Sequence, residues 1–291
     1  MPLPTPPMSP GEPAARRGGS VDADGGEPLP GHDRRTVVVV TGGEEPDVDL
    51  VTRMLVDVPD DAPVVAADSG IEHALRLGLR IDHAVGDFDS VEATVLAGVE
   101  TAGARIVRHP VAKDATDLEL ALDAAVELGA LRVVVLGGHG GHLDHFLGNV
   151  LVLASPRYAN LVVDAVMGAA RLHVARPWVP TRLRGRPGEI VTLLPVHGPA
   201  EGVCTDGLRF ALDMENLTEG TTRGVSNEMT GDEAEVRLTG GCLLVVRPTD
   251  ASRVTVVTDT DTDRDPNNDS ATDPTHTTES DRPDTPAGRR M

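Results

Sequence analysis

The feature that most constrains the fold is a regular alternation of short apolar segments and helical segments between residues 36 and 163. Apolar segments with the length and β-branched content of buried strands are found at 36–40, 63–67, 81–85, 105–107, 131–136 and 161–163. Helical spacing of apolar residues is found between them at 47–56, 71–77, 115–128 and 142–154. This alternation predicts an α/β domain with a mainly parallel, Rossmann-like sheet that is covered on both faces.

The pattern changes after about residue 175, where helical spacing disappears and glycine and proline turns recur. Short alternating strands are expected at 190–194, 202–205, 208–212, 234–238 and 242–246. We therefore predict an α/β domain at 35–176 followed by a small all-β sandwich or barrel domain at 182–248. The flanking segments 1–34 and 251–291 are rich in proline, glycine and charge, the second with a Thr/Asp repeat, and they predict disordered tails.

The charge excludes several classes of partner. A net charge of −20 argues against binding to nucleic acid or to an anionic membrane surface. The longest apolar runs are far shorter than the roughly 20 residues of a membrane span. The N-terminal segment has no apolar core of the kind found in secretory signals. We therefore expect a cytoplasmic protein.

Two aspartates with one residue between them follow the strand at 81–85. In the segment Val85-Gly86-Asp87-Phe88-Asp89-Ser90 both carboxylates can converge at the carboxyl end of a strand. Carboxylates held that close repel each other, so one takes up a proton or both share a cation. Mg²⁺ prefers oxygen ligands and commonly recruits phosphate oxygens as well. The alternative is a solvated, Asp-rich turn.

Two further segments could bind a polyphosphate. Lys113-Asp114-Ala115-Thr116-Asp117-Leu118-Glu119 opens a helix, and Lys113 is the only lysine of the chain. A capping box of Thr116 and Glu119 would explain the acids but not the lysine. The glycine-rich segment 137–145 (GGHGGHLDH) joins a strand to a helix, where exposed N–H groups can approach a ligand. A zinc cluster of His142, Asp144 and His145 is the less favoured alternative for this segment. Asn149 lies one turn further on.

In the predicted β domain, Phe210 could provide an aromatic platform for a flat ring, although a core position is the common alternative. Ser226 and Asn227, after Gly224-Val225, offer small hydrogen-bonding groups or simply form a turn.

Taken in order, these motifs resemble the thiamine pyrophosphokinase family over about residues 36–248. The residues that carry the resemblance are Asp68-Ser69-Gly70, Gly86-Asp87-Phe88-Asp89-Ser90, Lys113-Asp114-x-Thr116-Asp117-x-Glu119, Gly137-Gly138-x-Gly140-Gly141-x-x-Asp144-His145, Gly207-Leu208-x-Phe210 and Ser226-Asn227-Glu228. The resemblance implies an α/β domain followed by a β domain. It also implies transfer of pyrophosphate from ATP to thiamine, with Mg²⁺, in a homodimer whose sites lie between subunits.

The resemblance also implies roles for single residues. Asp87, Asp89 and Asp117 would hold Mg²⁺. The chemistry of the reaction, and not the resemblance, suggests that an uncoordinated carboxylate, Asp114 or Asp144, accepts the hydroxyl proton. Phe210, Ser226 and Asn227 would hold the thiamine pyrimidine ring. The residues expected to bind the nucleotide are Asp68, Ser69, Gly70, Lys113, Gly138, Gly140, Gly141, His142 and Asn149.

Two positions depart from the family pattern, which often has glycine at position 69 and arginine at position 142. Ser69 is a small change, whereas His142 replaces a permanent cation by an imidazole that titrates. Two other functions remain open at this point. One is a pyrophosphokinase that acts on a hydroxymethyl pterin, and the other is a nucleotide-sensing module without catalysis.

Overall fold

The computed structural model describes residues 35–110 and 115–249, which belong to one compact unit. Five α-helices are formed in these ranges: α1 (Val48–Leu55), α2 (Gly70–Arg76), α3 (Ala93–Thr101), α4 (Asp117–Glu127) and α5 (Leu143–Leu153). The strands of the first half are β1 (Thr36–Val40), β2 (Val64–Ala67), β3 (His83–Gly86), β4 (Arg105–Arg108), β5 (Arg132–Leu136) and β6 (Val162–Met167). Those that follow are β7 (Ala170–Ala175), β8 (Thr181–Arg184), β9 (Ile190–Pro195), β10 (Ala200–Asp206), β11 (Glu215–Leu217), β12 (Asn227–Glu228), β13 (Glu233–Arg237) and β14 (Leu243–Pro248).

The main sheet has ten strands in the order β12-β9-β14-β7-β6-β5-β1-β2-β3-β4. From β6 to β4 every neighbouring pair is parallel, and the order turns back at β1, which pairs with both β2 and β5. From β6 to β12 the pairs are antiparallel. A second, antiparallel sheet has the order β11-β10-β13-β8. The predicted fold class is confirmed.

The strand side chains alternate between the two faces of the main sheet, as the period of a strand requires. Val37 and Val39 pack with residues of α4 and α5, whereas Val38 and Val40 pack with residues of α1, α2 and α3. A third apolar cluster joins residues of β9 and β14 to residues of the second sheet. Both faces of β1 are therefore buried, which explains its run of four valines at 37–40.

Three features differ from the sequence expectations. Residues 208–212 were expected to form a strand, but the structure has only an isolated bridge there, between Leu208 and Met229. The backbone of this segment is bonded partly by side chains, because Thr205 Oγ1 accepts from the Leu212 N–H and Asn227 Oδ1 from the Phe210 N–H. Main-chain bonds remain as well, since the Arg209 N–H donates to the Glu228 carbonyl at 2.8 Å. Helix α3 and strands β7, β8, β11 and β12 were not predicted.

The predicted domain boundary falls between β7 and β8. Three strands from beyond this boundary, β9, β12 and β14, nevertheless belong to the main sheet that contains the parallel strands. The division into two domains stays a prediction. The predicted tails lie outside the described residues. In 35–110 and 115–249 we find no helix with the length and apolar character needed to cross a membrane.

Candidate active site

Three loops meet at the carboxyl edge of the parallel strands β1, β2 and β5. They are 41–43, 68–70 and 137–141, and each follows its strand directly. The Gly138 N–H donates to the Gly42 carbonyl at 2.8 Å, and the Glu44 N–H donates to the His139 carbonyl at 2.7 Å. Ligands of open α/β sheets bind at such an edge, where the strand order reverses.

The glycines of these loops are required by close packing and by backbone conformation. A Cβ atom on Gly137 would lie 2.3 Å from the Thr41 carbonyl oxygen, and one on Gly70 would lie 2.4 Å from that of Val40. Gly138, Gly140 and Gly141 have φ angles of 80°, 84° and 68°, a region that disfavours side chains. The Asn149 amide fixes the loop further by donating to the Gly138 carbonyl at 3.1 Å.

An acidic cluster is formed by Asp68, at the end of β2, and Asp87 and Asp89, which follow β3. One carboxylate oxygen from each lies within 4.8 Å of the others. Asp68 also organises the loop after β3, since its Oδ1 accepts from the Phe88 N–H at 3.1 Å and its Oδ2 from the Ser90 hydroxyl. Both Asp68 and Phe88 have positive φ angles, 46° and 60°. Two residues in an uncommon, positive-φ backbone conformation and the hydrogen bonds of Asp68 therefore hold the three carboxylates of the cluster close together.

The charges of the cluster perturb one another. The charge of Asp87 is the main cause that raises the pKa of Asp89, with smaller contributions from desolvation, a hydrogen bond with Asp87 and the charges of Asp68 and Asp117. Three carboxylates at this spacing suit a hard divalent cation, which would remove the repulsion. The residues present therefore fit Mg²⁺.

A cleft of about 700 Å³ lies beside this cluster and shares Asp68 with it. The residues that line it are Thr41, Gly42, Gly43, Ala67, Asp68, Ser69, Ala115, Thr116, Asp117, Leu118, Gly138, His139, Gly140, Gly141, His142, His145 and Asn149. The cleft thus brings together the start of α4, the start of α5 and the three loops.

The two helix starts contribute in different ways. Thr116 caps α4, since its hydroxyl oxygen accepts from the Glu119 N–H at 3.3 Å, while Asp117 faces the cleft. His142 is the N-cap residue of α5 but makes no side-chain capping bond, and its ring lies 5.9 Å from that of His145. Asp144 is exposed in the first turn of α5 and is not among the lining residues. Lys113 and Asp114 lie outside the described residues.

The three residues predicted to bind a flat ring form a second group. Phe210 is 60% exposed, and the Arg209 guanidinium lies over its ring at 5.5 Å. Asn227 is buried, and its amide bonds both main-chain groups of Phe210, accepting from N–H at 2.9 Å and donating to the carbonyl at 2.8 Å. Ser226 is exposed, with a φ angle of 57°. Asn227 therefore positions Phe210, and Phe210 presents a free aromatic face.

Both halves of the chain are similar to domains of known proteins. Residues 59–163 match the family described as "Thiamin pyrophosphokinase, catalytic domain", and residues 179–243 match "Thiamin pyrophosphokinase, vitamin B1 binding domain". The chain belongs to the thiamine pyrophosphokinase family.

Relatives in this family support the assignment along most of the described chain. A thiamine pyrophosphokinase of Bacillus subtilis is 25% identical over 216 residues, which are 74% of this chain and 100% of the relative. Thiamine pyrophosphokinase 1 of Oryza sativa is 27% identical over 180 residues, 59% of this chain and 67% of the relative.

Solved structures of the family agree with the fold. The crystal structure of thiamin pyrophosphokinase from Geobacillus thermodenitrificans has a TM-score of 0.61 at 28% identity, covering 75% of this chain and 99% of that one. The yeast enzyme, at 14% identity, has a TM-score of 0.58, over 76% of this chain and 89% of its own, and supports the fold alone.

The structure adds to the predicted site residues in two ways. Asp68 was expected to bind the nucleotide, but the structure places it with Asp87 and Asp89, whereas Asp117 lies outside this closest group. Strand pairing is the cause, because β2, which precedes Asp68, lies beside β3, which precedes Asp87. Thr41, Gly42 and Gly43, at the end of β1, also line the cleft, and the same strand-end position was their signal.

Proposed function

We propose that this chain is a thiamine diphosphokinase, which transfers pyrophosphate from ATP to thiamine and releases AMP. The observation that carries the proposal is the acidic cluster of Asp68, Asp87 and Asp89 beside a glycine-lined cleft at the sheet edge. Sequence similarity to both family domains supports the same activity. The pterin pyrophosphokinase and the non-catalytic module are not favoured by these similarities.

Mg²⁺ would be held by Asp68, Asp87 and Asp89, with Asp117 at the start of α4 as the fourth carboxylate near the cation. When bound, the cation neutralises charge on the phosphate oxygens. The loops at 41–43 and 137–141 would bind the rest of the nucleotide through main-chain N–H groups, because their glycines let a ligand approach the backbone.

The reaction needs positioning more than covalent help from the protein. The acceptor hydroxyl must lie in line with the β-phosphorus and the departing AMP. We assign the hydroxyl proton to Asp144 or Asp114. Asp144 is exposed in the first turn of α5, next to the histidines that line the cleft.

Thiamine would stack on the exposed ring of Phe210, with Ser226 beside it and Asn227 holding the Phe210 main chain. These residues are not in the cleft of their own chain, since all described residues that line it lie between Thr41 and Asn149. We therefore propose a homodimer, located in the cytoplasm, in which Phe210 of one subunit completes the cleft of the other.

The surface of α5 supports this arrangement. Leu143, Leu147 and Leu151 lie four residues apart on one helix face and are 69%, 50% and 46% exposed. Exposed apolar stripes of this kind are common at protein interfaces. Because the same helix starts at the cleft with His142, a subunit that covers the stripe would also approach the cleft.

The activity is tested by incubating the full chain with ATP and Mg²⁺ together with thiamine, a hydroxymethyl pterin or no acceptor, and measuring AMP. AMP formed only with thiamine supports the proposal. AMP formed with the pterin would favour the first alternative, and nucleotide binding without AMP the second.

The shared site is tested by co-expressing Asp89→Asn and Phe210→Ala chains. Half of the dimers are then hybrids, and each hybrid has one site in which both residues are intact. About a quarter of wild-type activity is expected if the site lies between subunits. No recovery above the single variants would place both residues in one chain's site.

A further inference from the structure

The cleft is unusual for a polyphosphate site because its described lining contains no permanent cation. Four carboxylates lie in or beside it, from Asp68, Asp87, Asp89 and Asp117, while the described residues that line it include no lysine or arginine. Helix α5 begins with His142, an imidazole. A triphosphate next to so many carboxylates is stabilised by positive charge in addition to a divalent cation, and Lys113, which is expected to supply part of it, lies outside the described residues.

Arg108 is a permanent cation that the fold places at the acidic loop. It ends the edge strand β4 and pairs in register with Gly86, the residue before Asp87. The next residue fixes this position as well, since the His109 N–H donates to the Gly86 carbonyl at 2.8 Å. The side chain is exposed, and its guanidinium lies 5.2 Å from the centre of the Phe88 ring.

The Phe88 ring is a fixed platform for this guanidinium. Phe88 is buried, lies between Asp87 and Asp89, and donates its N–H to Asp68. A guanidinium stacked on a ring keeps its in-plane N–H groups available for other acceptors. Arginine is suited to phosphate oxygens because two of its N–H groups can donate in parallel.

We propose that Arg108 is a nucleotide-binding residue of this site, held on Phe88 so that its guanidinium donates to phosphate oxygens of the metal-bound nucleotide. The inference rests on the proposed function and adds to it the arginine that the described cleft lacks. Within 35–110 and 115–249, the structure has no ion pair between Arg108 and a carboxylate, so the stacked guanidinium is not neutralised by a described acid.

The matched control is Arg105, the first residue of the same strand. It is also exposed, but it pairs with His83 at the other end of β3. Three residues along a strand also place its side chain on the opposite face from that of Arg108. Methionine at either position keeps most of the side-chain length and removes the charge.

The test measures binding of Mg²⁺ with a non-hydrolysable ATP analogue to the full chain by calorimetry, for wild type, Arg108→Met, Arg108→Lys and Arg105→Met. Arg108→Met is expected to weaken nucleotide binding about tenfold or more, with Arg108→Lys between it and wild type, since one charge-assisted hydrogen-bond pair is lost. Arg105→Met is expected to change it less than about twofold.

A second readout separates nucleotide contact from support of the acidic loop. Binding of Mn²⁺ alone, as a spectroscopic probe for Mg²⁺, is expected to be unchanged or tighter in Arg108→Met, because a nearby positive charge is removed. If Mn²⁺ and nucleotide binding weaken together, Arg108 only supports the loop and the inference is wrong. Equal nucleotide binding by Arg108→Met and wild type also refutes it, and a wild-type chain that binds no nucleotide refutes the proposed function itself.

Discussion

Replacement of Asn227 by alanine tests whether this residue positions Phe210. The amide of Asn227 makes three main-chain hydrogen bonds, to the Phe210 N–H at 2.9 Å, the Phe210 carbonyl at 2.8 Å and the Glu228 N–H at 2.9 Å. The side chain is 4% exposed, so water would replace these bonds poorly.

The expected cost follows from that count. At about 1 kcal/mol net for each hydrogen bond, Asn227→Ala should lower the free energy of unfolding by about 3 kcal/mol. For a domain of this size such a loss lowers Tm by about 6 to 12 °C. Asn227→Asp should be at least as destabilising as Asn227→Ala. The aspartate would place a carboxylate oxygen against the Phe210 carbonyl, where asparagine has an N–H donor.

The assay is thermal unfolding together with KM for each substrate, and Thr222→Ala, at an exposed residue that is not assigned to either substrate, is the control. Asn227→Ala should raise KM for thiamine while KM for ATP stays near the wild-type value, because the Phe210 loop lies outside the nucleotide cleft. An unchanged Tm would refute the energetic reasoning. A lower Tm with unchanged KM for thiamine would show that the Phe210 loop is not the acceptor site.

Three further predictions concern charges. Folding raises the pKa of Asp89, chiefly through the charge of Asp87. The folded protein therefore binds this proton more tightly than the unfolded chain does. The stability that comes from this proton is complete below the unfolded-state pKa and is lost as the pH rises through the folded-state pKa. Asp89→Asn should therefore raise Tm in EDTA at neutral pH while activity falls by orders of magnitude; a lower Tm would contradict this. The pKa of Asp164 lies below its usual value. Burial would raise this pKa, but the hydrogen bond and charge of His173 and the charge of Arg132 outweigh burial. Asp164→Ala should cost about 3 to 5 kcal/mol in urea unfolding at neutral pH, and the difference from wild type should shrink below about pH 4. His142→Arg should lower KM for ATP, because a permanent cation with paired N–H donors would replace the imidazole at the start of α5, and an unchanged KM would exclude a phosphate contact at this position.

The order of the elements could be predicted from the sequence because it depends on local patterns. The β-branched run at 36–40, a threonine and four valines, indicates a strand buried on both faces, and the structure buries all five residues of β1. Glycines at 137–141 indicate a loop with positive φ angles, which the backbone has. Helix α3 was missed because Ala93–Thr101 has little amphipathic character, with only Leu96 and Val99 buried.

The sequence alone determined that acidic and glycine-rich loops would follow the parallel strands, since the chain direction places every such loop at the same edge of the sheet. Only the tertiary structure decided which carboxylates meet, because strand pairing sets β2 beside β3 and so brings Asp68 to Asp87 and Asp89. It also decided that Asn227 bonds the Phe210 main chain and that Arg108 stacks on Phe88. These contacts join residues that are 17 and 20 positions apart, and no local pattern encodes them.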